Sequence, residues 1–509
     1  MRDLAQGFRP GWREQRQTVT AMQHHTSAIA PLMNHILTIC LATLLPAVLP
    51  LSAADKTSKP NVLFIIVDDL TTTLGCYGDR DARTPHMDAL AARGVRFDRA
   101  YTQFALCNPS RCSFLTGCYP ERTRVFDLTT SLRKALPDVV TLPQLFKNAG
   151  YTAGRIGKVF HVPDPKTKLD VELGAPLHKD GQILDEAKLA ERSEGDLSDP
   201  PHESSHGKSY NRCYAASSHP DRDFTDYQIA DEAVQTLEGF KGKPFFLAVG
   251  FIRPHTPYVA PQRFFDLLDP KSILMPAFYQ PDGENLAGIP KAALRPNNNV
   301  FRFQAPNPKE AREARRAYHA STAWVDSQVG RVLAKLKELR LDDNTIVLLT
   351  GDHGYQLGEH GLWAKQTLFE EGTHVPVIVA APGVKPGVSA GLVEQVDIYP
   401  TLAGLAGLAI PKNVQGITLQ PLLADPAAKG KQVVFSTMVS THTKLIGRSV
   451  STDRFRYIEW DEGRGGRQLY DHESDPHELT NLAGKPMQAD RVQRMRSRLA
   501  NHLKTRSGE

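Results

Sequence analysis

NVLFIIVDDL, residues 61–70, is a continuous β-branched and aromatic run that stops at two adjacent aspartates, and such a run reads as a strand buried on both faces. A strand of that kind needs helices above and below it. TPHMDALAARGVRF supplies one, with Thr84 as N-cap, Pro85 in the first turn, apolar Met87, Leu90 and Ala91 on one face, and Gly94 as the stop. TLPQLFKNAGYTAGRIG repeats the scheme with a helix from Thr141 to Ala149, a Gly150 cap and a strand. The rhythm resumes with a helix at 226–239, the strand PFFLAVGFI at 244–252, a helix near 310–340, and the strands NTIVLLTGD at 344–352 and VPVIVAAPG at 375–383. This alternation predicts an α/β fold with a large, mostly parallel sheet flanked by helices, and functional residues at the C-terminal ends of its strands.

Two regions depart from the pattern. Residues 162–225, rich in Pro, Ser, His, Asp and Lys, read as a long surface insertion. From about 411 the strand candidates become shorter and more polar, as in QVVFST and FRYIEW, and a basic helix closes the chain, which predicts a smaller C-terminal α+β subdomain over 411–509 beside a catalytic domain over 55–410. Residues 36–49, ILTICLATLLPAVL, form an apolar run of 14 broken by Pro46, too short to span a bilayer and of signal-peptide length. Small residues Ser52 and Ala54 place cleavage after Ala54, so 1–54 reads as a signal peptide with an N-terminal extension, and the mature protein as periplasmic or secreted without a transmembrane span.

Lys+Arg minus Asp+Glu is 61 − 56 = +5, and the aromatics are not interleaved with basic runs, so nothing points to nucleic acid. Cleavage would remove Cys40 and leave Cys76, Cys107, Cys112, Cys118 and Cys213, an odd number whose disulfide pairing stays open. The absence of a paired C-x-x-C with His partners argues against a cysteine-based zinc site.

The chemistry gathers at strand ends. Asp68 and Asp69 would repel each other unless something cationic neutralised them, and TGDHGYQLGEHGLWAK places Asp352 and His353 at a second strand end. Hard oxygen ligands on a flexible shell favour Ca²⁺ over Mg²⁺, with His353 an awkward member of the set. In CNPSRCSFLTGCYPERT, Pro109 fits the start of a helix and Gly117 its end, which puts Cys107 at a helix N-terminus suited to an anion.

The order Cys107, Pro109, Ser110, Arg111, then Leu115, Thr116 and Gly117, is that of the type I sulfatase signature. VDDL, GKVFH, FIRPHTPY, GDHGYQLGEHGLWAK and VDIYPTLAGLAGL follow in the order of that family, and the chain resembles a sulfatase over nearly all of its mature length. GKVFH together with DHG, and ERTRVFDLTTSLR after the cysteine, most resemble iduronate-2-sulfatases.

The resemblance implies an alkaline-phosphatase-like fold and a Cys107 oxidised to formylglycine by a formylglycine-generating or sulfatase-maturing enzyme. One hydroxyl of the aldehyde hydrate would attack sulfur, the substrate alcohol would leave, and the second hydroxyl would collapse to the aldehyde and expel sulfate. By similarity, Asp68, Asp69, residue 107, Asp352 and His353 hold the metal, and Arg111 holds the hydrate and the ligand network. Lys158 and Lys365 bind sulfate oxygens, His255 protonates the leaving oxygen, and His161 is the base for collapse. Tyr355, Glu359 and His360 are candidates for shaping a sugar pocket, with loop packing as their other reading. The implied substrate is a sulfated oligosaccharide or polysaccharide, with the 2-O-sulfate of iduronate or a related uronic acid as the narrow expectation. Two alternatives share these residues: a formylglycine-dependent phosphodiesterase or phosphonate hydrolase, and a non-catalytic secreted polysaccharide-binding protein whose Cys107 stays a thiol.

Overall fold

The computed structural model describes residues 59–506 apart from 165, 175–201, 205–206, 210–213, 277–278, 280–287, 295–299 and 302–305. The signal-like run, the extension before it and Cys213 lie outside the described residues, as does much of 162–225.

Eight strands form the main sheet: β1 (Asn61–Val67), β2 (Val95–Tyr101), β3 (Thr152–Gly157), β4 (Val171–Gly174), β5 (Phe245–Phe251), β6 (Thr345–Gly351), β7 (His374–Ala380) and β8 (Gly387–Glu394), in the spatial order β8-β2-β7-β6-β1-β5-β3-β4. β1 lies in parallel between β5 and β6, and every residue of these three strands is buried, as their unbroken apolar runs require. Only β7 is reversed, pairing antiparallel with both β6 and β2. A doubly buried run does not encode direction, so the sequence pattern could not single this strand out. β4 corrects the reading of 162–225 as surface insertion alone, because Val171–Gly174 extends the sheet in parallel beside β3.

The period of two along β1 divides the core into two layers. Leu63, Ile65 and Val67 face Met87 and Leu90 of α1 (Pro85–Ala92), Ile229, Ala233 and Leu237 of α4 (Thr225–Phe240), and Val325, Val329 and Val332 of α5 (Pro308–Glu338). Val62, Phe64 and Ile66 face Phe114 and Leu115 of α2 (Cys107–Thr116) and Leu142 and Phe146 of α3 (Leu142–Asn148). Each large apolar side chain buried this way contributes roughly 1.5–3 kcal/mol, which offsets the cost of the charges placed at the strand ends.

The C-terminal subdomain is a four-stranded antiparallel sheet, β9 (Val434–Val439), β10 (Ile446–Ser451), β11 (Phe455–Trp460) and β12 (Arg467–Asp471), with α6 (Ala489–Arg506) on one face through Met495 and Leu499. Its other face, Met438, Ile458, Trp460 and Tyr470, packs on Phe104, Leu106, Leu368 and Phe369, which flank Cys107 and Lys365 in the chain. Buried Arg456 ties the two parts together through an ion pair with Glu370, and buried Glu478, 2.7 Å from Arg456, accepts from the Glu370 amide at 2.8 Å. Cys76, Cys112 and Cys118 are free thiols. No helix among the described residues is long and apolar enough to cross a membrane.

Glycines let the strand ends converge. Gly157 ends β3 at φ +71°, and the Lys158 amide then donates to the Gly250 carbonyl at 2.8 Å. A Cβ on Gly250 would lie 2.1 Å from the Lys158 carbonyl oxygen, so only glycine allows β5 to approach the start of the lysine loop.

Candidate active site

Four strand ends and one helix start meet at the C-terminal edge of the sheet. β1 delivers Asp68 and Asp69, β6 delivers Asp352 and His353, β3 delivers Lys158, β5 leads to His255, and α2 begins at Cys107. Gly117 caps α2 in the left-handed region, two to three turns after the cysteine, as the signature suggested.

Arg111, fully buried on α2, is the hub. Its Nε donates to Asp352 Oδ2 at 3.0 Å, one Nη to Asp68 Oδ1 at 2.9 Å, and the other to the Lys158 carbonyl. Lys158 Nζ pairs with Asp68 Oδ2. Lys365 Nζ lies 2.7 Å from Asp69 Oδ1 and 3.2 Å from Cys107 Sγ. His353 Nε2 is 3.3 Å from the same sulfur and 3.2 Å from Asp69 Oδ1. His255 Nε2 stands 3.9 Å from Asp69 Oδ2.

The backbone is bent to make this possible. Asp69 sits at φ 61°, a left-handed conformation that costs a non-glycine residue on the order of 1–3 kcal/mol. Tyr318 of α5 holds it there, donating its hydroxyl to the Asp69 carbonyl at 2.7 Å and accepting from the Thr71 amide at 3.1 Å. Lys365 is flanked by Ala364 and Gln366 at φ 70° and 69°.

Three carboxylates and three cations therefore balance one another inside the protein. Burial would raise the Asp68 carboxyl, but Lys158 and Arg111 hold it well below its ordinary range. Burial would strip the proton from the Lys365 ammonium, yet Asp69 and its neighbours hold it charged. Burial, reinforced by Asp68, pushes the Cys107 thiol far above its ordinary value, so the unmodified sulfur is a poor nucleophile. Burial and Lys365 pull His255 down to about 4, and burial and Lys158 pull His161 down to about 3.

The donor set fits a divalent cation. Asp68, Asp69, Cys107 and His255 each offer a ligand atom within 4.8 Å of the others, and Cys107, Asp352 and His353 do the same. Asp69 Oδ2 is buried with no hydrogen-bond partner among the described residues, the mark of an oxygen waiting for a cation. His353 Nδ1 lies 2.9 Å from the Gly354 carbonyl, which can only accept, so Nδ1 carries a proton, and Nε2 faces Asp69, Asp352 and Cys107, where its lone pair would serve a cation.

His161, half-buried beyond Lys158, has its Nδ1 without a partner among the described residues. The pocket-shaping candidates make contacts of their own. Tyr355 is buried in an aromatic stack with Tyr318 and bonded to the Tyr258 hydroxyl at 2.8 Å. Glu359 pairs with Arg315 at 3.0 Å, and His360 stacks on Phe369 at 4.0 Å.

Several supporting residues receive no role from sequence, Ser110 of the signature among them. Ser110 and Thr102 bond each other at 2.9 Å and both reach the Asp352 carbonyl. Asp226 accepts from the amides of Ile252 (2.7 Å) and Arg253 (3.1 Å) and so fixes the loop that carries His255. Tyr318 is the most consequential omission, because an isolated tyrosine in a long helix looks like any core residue.

An alkaline-phosphatase-like sheet whose acidic strand ends and buried cations surround the first residue of a helix defines a hydrolase of anionic esters. Residues 60–408 match the Sulfatase family model and residues 358–505 the N-sulphoglucosamine sulphohydrolase, C-terminal, model. The chain belongs to the sulfatase family and is a sulfuric ester hydrolase. It is 36% identical over 403 residues to human iduronate 2-sulfatase, covering 70% of this chain and 71% of that one. Among solved structures it is similar to a phosphonate monoester hydrolase from Silicibacter pomeroyi (TM-score 0.74, 25% identity, 88% and 96% of the two chains) and to a 2-O GAG sulfatase (TM-score 0.69, 27% identity, 89% and 93%).

Proposed function

We propose that this enzyme is an exported sulfatase that removes the 2-O-sulfate of iduronate or a related uronic acid from a sulfated glycosaminoglycan-type oligosaccharide, with residue 107 as formylglycine and Ca²⁺ as the metal. The carrying observation is the placement of Cys107 Sγ between Lys365 Nζ (3.2 Å) and His353 Nε2 (3.3 Å), beside the unpartnered Asp69 Oδ2. The likeness to iduronate 2-sulfatase supports the substrate, and the apolar run at 36–49 supports export. Cys107 is 1% exposed, so its oxidation by a maturing enzyme has to precede folding.

Asp68, Asp69, Asp352, His353 and residue 107 would hold the cation. Once bound, a divalent ion supplies Lewis-acid polarisation of the sulfate, and carboxylate ligands suit Ca²⁺. Formylglycine hydrate supplies two hydroxyls on one carbon, one for attack on sulfur and one for expulsion of sulfate. Lys158 and Lys365 bring fixed positive charge to the ester oxygens, in a water-poor site where each charge counts for more. Arg111 keeps Asp68 and Asp352 in register while the substrate enters.

His255 acts at the leaving oxygen. Its Nδ1 donates to the Thr256 carbonyl at 2.7 Å, so Nε2 carries a proton to give only in the imidazolium. The anionic substrate supplies the charge that raises the ring from about 4 toward working pH. His255→Ala should lower kcat/KM on a sugar sulfate by roughly 10²–10⁴-fold and far less on an aryl sulfate whose phenolate leaves unaided. Equal losses on both would remove the proton-donor role.

Matured protein assayed on defined sulfated sugars tests the substrate. A 2-O-sulfated uronate disaccharide should be cleaved far faster than galactose or fucose sulfates and faster than matched phosphate esters. Preference for the other sugars would discard the uronate, and preference for the phosphate ester would favour the diesterase reading.

A further inference from the structure

A second set of metal-binding side chains lies outside the catalytic cluster. Asp79 and Asp81 follow β1 on the loop that leads to α1, and His319 stands on α5. One ligand atom from each falls within 4.8 Å of the others. Asp79 uses Oδ1 to accept the amides of Asp81 (2.8 Å) and Ala82 (3.1 Å), which leaves Oδ2 facing His319 Nε2 at 3.9 Å. Asp81 uses Oδ2 on the Leu274 amide (2.8 Å), which leaves Oδ1.

His319 points to a ligand independently of the acids. It is 0% exposed, and neither ring nitrogen has a hydrogen-bond partner among the described residues. A buried imidazole pays for that isolation unless something binds it. Of the neighbouring cations, Arg315 directs Nη1 to the Leu357 carbonyl (2.9 Å) and Glu359 (3.0 Å) while its Nε has no hydrogen-bond partner among the described residues, and Arg83 directs Nη1 to the carbonyls of Arg80 (3.0 Å) and Ala82 (2.8 Å).

We propose that Asp79, Asp81 and His319 form a second divalent-cation site that takes a borderline ion of the Zn²⁺ type. One imidazole nitrogen with two carboxylate oxygens suits zinc better than calcium, with water completing the shell. Its place in the fold gives it a structural role. His319 adjoins Tyr318, whose hydroxyl holds the left-handed Asp69, so an ion here ties the 79–81 loop to α5 one residue from that hydrogen bond. The site does not depend on the choice of substrate or on the state of residue 107.

Crystals of the full chain grown with Ca²⁺ and micromolar Zn²⁺, measured across the zinc absorption edge, test this without any variant. Anomalous density within bonding distance of Asp79, Asp81 and His319 is the expected result, and an ordinary water or nothing there would overturn the proposal. In solution, Zn²⁺ added to Ca²⁺-saturated protein should raise Tm by about 2 °C or more, since an ion that binds only the folded state stabilises it. The double variant Asp79→Asn/Asp81→Asn keeps the oxygen acceptors for the backbone amides and should lose that rise. A rise of the same size in the variant would also sink the proposal.

Discussion

Cys107→Ala should abolish sulfate ester hydrolysis, with kcat/KM falling on the order of 10⁵-fold or more, while the fold survives. The reasoning separates two effects of unequal size. Replacing a buried thiol by a methyl group removes little volume, and the helix start around it is held by other contacts, among them Asn108 Nδ2 to the carbonyls of Asp127 (2.8 Å) and Thr130 (3.0 Å). The stability loss is therefore about 1–2 kcal/mol. Chemistry loses everything that residue 107 supplies, because the side chain that lies 3.2 Å from Lys365 Nζ and 3.3 Å from His353 Nε2 is gone. Steady-state assays together with a thermal melt distinguish the two, and substantial turnover in the alanine variant would place the nucleophile elsewhere.

Lys365→Met should lower kcat/KM by about 10³-fold, the loss expected when a preorganised charge at a developing anion is removed. It should also expose a link between the metal and stability. Lys365 is 2.7 Å from Asp69 Oδ1, and deleting one partner of a buried pair costs roughly 3–5 kcal/mol because the other charge is left uncompensated. A bound divalent cation would supply the missing compensation. The variant should thus melt well below wild type after chelation and much closer to it with saturating Ca²⁺. Lys365→Arg should not restore activity, since a planar fork cannot take the place of a compact ammonium between Ala364 and Gln366, both in the left-handed region. Equal melting deficits with and without metal would show that no cation reaches Asp69.

The sheet was legible because β1, β5 and β6 are unbroken apolar runs, and only burial on both faces allows such runs. Strand direction was not legible, since reversing VPVIVAA leaves its hydropathy unchanged, and β7 is the strand that runs backwards. β4 was hidden because four residues within a polar stretch carry too little period to stand out. In the site, the charged residues announced themselves through their position after apolar runs and through the cysteine signature. The parts that stayed hidden are those whose role is geometric. Tyr318 acts through a hydroxyl 249 residues away from the carbonyl it holds, and Asp226 through amides 26 and 27 residues ahead. Tyr355, Glu359 and His360 show the converse: residues of the same motif as His353 whose side chains contact neighbours. Asp79, Asp81 and His319 share no local pattern, and only the packing of α5 against the loop brings them together.

Mass spectrometry of the peptide that carries residue 107, taken from protein active on sulfate esters, addresses the nucleophile itself. An aldehyde at position 107, captured by a hydrazide probe and present in proportion to specific activity, is the expected finding. Fully active protein with an intact thiol at every copy of Cys107 would contradict the account.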